Sequence, residues 1–327
     1  MLLTVKDTAK RIKQGQILFL AGEEELLRQL PTGHWIGGTI PYFMTEQGGQ
    51  DSTTEIFVNE VPPMVSAFNI ISYEEANLRR IPAEAFDNGF SLVIIPYASD
   101  AHFSYAKNSH NYPNLFLKPI IGWIAGVHLK NLGQMTPKVF NGETGEGFEQ
   151  QAVVMHLSLP LEKMAMIQTI NPFKPGEGDY ITFENEGFEI AECLVNGQKQ
   201  NFACYLREHQ IDLKFPLVAN YFGTSMNVSF QDINTKANIV KLYAPVFKNI
   251  TYQLAVPLQD YVAKFKEELS FQHLASPPVF ACNCILNYVH SELEGKRTGF
   301  LVGPMTFGEI AYQLVNQTLV YLEIEDN

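Results

Sequence analysis

Phe90-Ser91-Leu92-Val93-Ile94-Ile95-Pro96, then Asp100 to His110, then Pro119-Ile120-Ile121-Gly122-Trp123 form the stretch that decides the fold. The first and third pieces are apolar, rich in Ile and Val, and bounded by turn residues, so they predict strands. The middle piece predicts a helix. The same alternation runs through the first 160 residues, with strands at 16–21, 34–44, 54–60, 66–72 and 150–159 and helices at 5–14, 22–30, 73–80 and 82–88. It predicts mixed, partly parallel sheets covered by helices. After residue 160 strand patterns crowd together, at 163–170, 179–184, 188–196, 213–219, 224–231, 237–243 and 249–256. Asn196-Gly197 predicts a hairpin turn among them. One long amphipathic helix is expected at 258–274, followed by apolar and amphipathic stretches at 278–293 and strands at 299–303 and 318–324. The fold class is therefore α/β to α+β: large mixed β-sheets with helices on the outer faces, in two sequential parts, 1–172 and 173–327. The break falls where Pro160, Pro172, Pro175, Gly176 and Gly178 cluster.

The chain has 327 residues, with 23 Lys and Arg against 35 Asp and Glu, and a net charge of −12. That charge repels phosphate backbones and argues against nucleic acid as a partner. No apolar run approaches the ~18 residues of a membrane span, and no signal-peptide pattern opens the sequence. Four cysteines do not make a disulfide framework. These features lead to the expectation of a cytoplasmic protein with reduced thiols and no membrane partner.

Phosphate-loop, dinucleotide, zincin and hydrolase signatures are absent, so no cofactor is expected. Gly142, Gly145 and Gly147 form a glycine-rich loop, but Glu143, Glu146 and Glu149 make it a solvated hairpin tip. Cys282 and Cys284 fall on one face of an apolar strand. They read as buried structural thiols, with a reactive cysteine as the alternative. A zinc site completed by Cys193 and Cys204 is disfavoured by the single residue between the pair, so no metal is expected. The eight histidines are scattered and read as structural or surface residues. Ile36-Gly37-Gly38, Ile121-Gly122-Trp123 and Val302-Gly303-Pro304 place glycine after an apolar strand three times. Either backbone geometry requires it there, or the backbone approaches a ligand cleft. Glu309 stands between Phe307 and Ile310 near Gly308. A carboxylate so placed needs a donor, from a neighbouring loop, Thr306 or Asn316, or from a ligand.

Gly303-Pro304-Met305-Thr306-Phe307-Gly308-Glu309-Ile310 followed by Asn316-Gln317-Thr318-Leu319 resembles the FIST domain family, as does the cysteine strand Phe280 to Ile285. Trp35-Ile36-Gly37-Gly38-Thr39 and Pro119 to Trp123 are similar to the Gly-bearing strands of its N-terminal part. The resemblance divides the chain into FIST N-terminal-like (1–172) and C-terminal-like (173–327) domains. It implies a stand-alone sensory protein that binds a small ligand, such as an amino acid, and signals through a separate partner. The implied ligand-binding residues are Gly37, Gly38, Thr39, Gly122, Cys282, Asn283, Thr306, Glu309 and Asn316. This sequence lacks the Arg expected after the cysteine and has Leu286 and Asn287 nearby. The alternatives are an enzyme using Cys282 or Cys284 with Glu309, and a ligand-free interaction scaffold.

Overall fold

A computed structural model describes residues 1–221, 224–270 and 277–327. It is an α+β arrangement of five mixed or antiparallel sheets among the described residues.

Three parallel strand pairs organise it. Leu18–Gly22 runs beside Trp35–Thr39, Gly89–Pro96 beside Ile120–Ala125, and Phe280–Cys284 beside Gly303–Thr306. A helix follows the first strand of each pair: Glu24–Leu27, Asp100–Asn108 and Ile285–His290. A hairpin follows the second. The next strand returns antiparallel to the first: Ile56–Glu60, Ala152–Ser158 and Leu319–Asp326.

The hairpins are exchanged. Tyr42–Thr45 of the first unit pairs with Gly303–Thr306 of the third. Glu309–Ala311 of the third pairs with Ile120–Ala125 of the second. Val139–Asn141 of the second pairs with Trp35–Thr39 of the first. The outer strands are not exchanged: each pairs with the last strand of the unit that it opens. Ala67–Tyr73 joins Ala152–Ser158, Lys163–Ile170 joins Leu319–Asp326, and Leu2–Leu3 joins Ile56–Glu60. The chain is thus three consecutive copies of one unit, each opening with its outer strand. Phe19, Trp123 and Phe280, one from each copy, meet in the core. Trp123 stacks on Phe280 at 5.3 Å between ring centroids, and Phe19 packs edge-on to it at 6.3 Å.

Between Lys163–Ile170 and Phe280–Cys284 lies an insertion with two antiparallel sheets of its own, of six and three strands. Its Asn227, 1% exposed, donates through Nδ2 to Asn171 Oδ1 and to the Asn316 carbonyl, both at 3.0 Å, which joins it to the third unit.

The threefold glycine is explained by strand contact. A Cβ on Gly122 would lie 1.8 Å from the Val93 carbonyl oxygen, one on Gly303 1.9 Å from that of Ala281, and one on Gly37 3.3 Å from that of Leu20. Backbone contact is enough to require the glycines at 122 and 303, and the space at Gly37 is tight.

Several elements differ from expectation. Pro41 splits the expected strand 34–44 into Trp35–Thr39 and Tyr42–Thr45, which join different sheets. The helices expected at 73–80 and 82–88 are a strand end at Tyr73, a 3-10 turn at Glu75–Arg80 and a short helix at Ile81–Glu84. The helix expected at 258–274 spans Tyr261–Ser270, and its residues 271–274 lie outside the described residues, as does His273. Helix Phe202–Glu208, capped by Asn201, was not anticipated.

Gly122→Ala forces the Val93 carbonyl to move. We expect a loss of at least ~2 kcal/mol of stability in urea unfolding, at the upper side of overpacking costs. Gly178→Ala, whose Cβ meets nothing within 4 Å, should change stability by less than about 1 kcal/mol.

Candidate functional site

Cys282, Asn283 and Cys284 are all buried on the strand Phe280–Cys284. Alternation sends the two thiols to one side. Cys282 Sγ donates to the Gly122 carbonyl at 3.4 Å. Burial first, and then the Glu309 carboxylate, push both thiols well above their ordinary value. They stay protonated, which removes the basis for a thiolate nucleophile.

Glu309 is fully buried. Its Oε2 accepts from Thr318 Oγ1 at 2.7 Å and from the Thr318 amide at 3.2 Å. Burial pushes its pKa up to about 8, against the opposing pull of hydrogen bonds from Thr318, Cys284 and Thr306. At neutral pH most of it is therefore an uncharged acid. Comparison of the three copies sets it apart. Glu309 pairs with Trp123, one residue beyond Gly122. The matching residues are Val139, opposite Gly38, and Phe43, opposite Pro304. Two copies place an apolar side chain there and the third a carboxyl group.

Asn283 lies next to this centre. Its Oδ1 accepts from Asn287 Nδ2 at 2.9 Å, and its Nδ2 donates to the Tyr261 hydroxyl at 3.4 Å. Thr306 Oγ1 stands 3.3 Å from the Asn283 carbonyl and 3.0 Å from that of Gly308. Asn287 and Tyr261 then open onto a cleft of about 450 Å³ between the insertion and the third unit. Lys214, Asp260, His290 and Lys296 also line it, so both signs of charge are present. Asp260 Oδ1 accepts from the Ala263 amide at 2.9 Å, capping the helix behind it. Lys296 Nζ donates to the Ser291 carbonyl at 3.2 Å. Burial, then the Lys214 charge, lowers the pKa of His290. Gln317 is pinned from both ends, accepting from Ser229 Oγ at 2.8 Å and donating to the Lys214 carbonyl at 2.9 Å. Asn287 is 1% exposed, and its Oδ1 has no hydrogen-bond partner among the described residues.

None of the nine residues expected at the site lines this cleft. Asn283 is one hydrogen bond behind it. Glu309 and Thr306 are deeper, and Asn316 meets the insertion through its carbonyl. Gly37, Gly38, Thr39 and Gly122 lie in strands away from this cleft. A Cβ on Gly38 would stand 2.7 Å from Ile94 Cγ2, and Thr39 Oγ1 accepts from the Lys138 amide at 2.9 Å. The cleft residues were missed because they come from five distant segments. Asn287 left a trace, as a residue near the position where the resemblance expects Arg, and Gln317 left another inside the segment Asn316 to Leu319. No group of three or more His, Cys, Asp or Glu side chains among the described residues could hold a metal.

A carboxyl with a raised folded-state pKa binds its proton more tightly in the folded protein. Its stabilising effect is complete below the unfolded value of 4.5 and is lost as pH rises toward about 8. Glu309→Gln lacks this proton linkage. Its stability relative to wild type should therefore rise between pH 5 and pH 8 by at least ~1 kcal/mol, a fraction of what the shift allows. Urea unfolding of both proteins at the two pH values measures it; a parallel pH response would place the proton elsewhere.

No curated protein and no solved structure matches the chain. A family model spanning residues 3–325 does match, and with nearly the whole chain covered the protein belongs to that family, a family of unknown function (DUF6976).

Proposed function

We propose that the protein is a sensory module that binds a small zwitterionic metabolite, an amino acid or a relative of one, in the cleft at Asn287. The observation that carries this reading is the buried Asn287 Oδ1, which lacks a partner while Asn287 Nδ2 is held inward by Asn283. A ligand ammonium supplies the missing donor. Lys214 and Lys296 suit its carboxylate, and a cleft between two structural units is a usual place for such a site. The FIST resemblance supports the same class of ligand and a signalling partner encoded as a separate protein. Closure of the insertion on the third unit gives occupancy a mechanical consequence. The free cysteines, three of them buried, support a cytoplasmic setting. Among the described residues no helix is long and apolar enough to cross a membrane.

A thermal-shift screen of the twenty amino acids tests this. A true ligand at one hundred times its Kd adds ~2.7 kcal/mol of stability. Lys296 is exposed and makes no ion pair among the described residues, so Lys296→Ala should weaken that ligand about tenfold, or ~1.4 kcal/mol, and leave the unliganded melting temperature unchanged. A screen in which no amino acid raises the melting temperature removes this class of ligand. Consumption of the ligand would make the protein an enzyme.

A further inference from the structure

A second cavity, of about 250 Å³, lies beyond the carboxyl end of Gly89–Pro96, where helix Asp100–Asn108 begins. Crevices at the carboxyl ends of parallel strands are where such sheets bind ligands. Tyr97, Phe103, Phe188 and Tyr243 line this one with rings, and His102 and Gln231 add polar atoms. The insertion supplies Phe188, Gln231 and Tyr243, so two structural units again meet around it.

The turn into the helix is strained. Ala98 has φ 61°, a left-handed backbone that non-glycine residues adopt rarely and often at ligand sites. The turn directs the Ala98 amide at His102 Nδ1, to which it donates at 3.3 Å. An Nδ1 that accepts carries no hydrogen. Burial also lowers the pKa of His102 to about 4, so the ring is neutral and its hydrogen is on Nε2. His102 is 2% exposed, and Nε2 has no hydrogen-bond partner among the described residues. A buried N–H without an acceptor is costly, and a cavity beside it gives the acceptor a place. Tyr97, Phe103 and Phe188 surround the imidazole with ring centroids 5.5, 5.3 and 6.1 Å away. The charged residues lining the cavity, Lys241 and Glu189, pair with each other at 3.2 Å. The occupant therefore needs no charge.

We infer that this cavity binds an uncharged planar aromatic molecule bearing a carbonyl group, its ring among Tyr97, Phe103, Phe188 and Tyr243 and its oxygen accepting from His102 Nε2–H. The site is separate from the Asn287 cleft and does not depend on that reading.

Acetophenone and ethylbenzene, similar in shape and different in the carbonyl, are the probes. Titrations of the full chain with ¹⁵N-labelled histidine, followed by NMR, should show acetophenone binding at least tenfold more tightly. The His102 Nε2 resonance should shift with acetophenone alone, and His102→Phe should abolish the preference. Intermolecular NOEs from acetophenone to Phe103 and Phe188 locate the probe in the wild-type protein, whether or not the variant folds. Equal affinity for the two probes, an unmoved His102 resonance, or a preference that survives in folded His102→Phe would overturn the proposal.

Discussion

The closeness of the two strands in each parallel pair governs the rest of the structure. At Gly122 and Gly303 the backbone lies against the carbonyl of the neighbouring strand, with no space for a methyl group. The second strand of each pair then has one edge satisfied and one open. An open edge in a protein interior leaves N–H and C=O groups unpaired. Each unit meets that demand with a hairpin from another unit, so no unit completes its own sheet. The exchange links the three units in a ring, with one exchanged pairing in each of three sheets. This explains why apolar residues from all three units share one core cluster.

Repetition also makes the differences informative. The Phe43 and Val139 positions show what a purely structural solution looks like at the place of Glu309. A buried acid there costs stability that an apolar side chain would not. It sits behind the Asn283–Asn287 contact that reaches the large cleft. The insertion interrupts the third unit between its opening strand and Phe280–Cys284, so the copy that departs most from the common pattern is also the copy the insertion covers.

Much of this was legible in the sequence at the level of single elements. The strand Lys163–Ile170 and the turn at Asn196-Gly197 lie where their patterns put them, and the glycine-rich loop of residues 142–147 is the tip of a hairpin. Cys282 and Cys284 are buried, as strand alternation implied. Pairing between distant strands was not legible, because a period of two says which face a side chain takes and nothing about the neighbour. The threefold glycine after an apolar strand was the one visible trace of the repeat, and in the sequence it left a ligand cleft open as the alternative to backbone geometry. The cleft residues Lys214 and Asp260 were not legible either, since each looks like an ordinary surface residue until the insertion folds over the third unit, and Asn287 and Gln317 were visible only as neighbours of expected positions.

The cyclic exchange has a consequence for synthesis. Ile120–Ala125 needs Glu309–Ala311 as its outer neighbour, and Tyr42–Thr45 needs Gly303–Thr306. At ~5–20 residues per second, the partner of Ile120–Ala125 leaves the ribosome roughly 10–40 seconds later. During that interval the nascent chain presents apolar strand edges to every other chain in its surroundings. Chaperone occupancy on this protein would therefore persist until Gly303–Thr306, Glu309–Ala311 and Leu319–Asp326 are free to pair with strands made earlier.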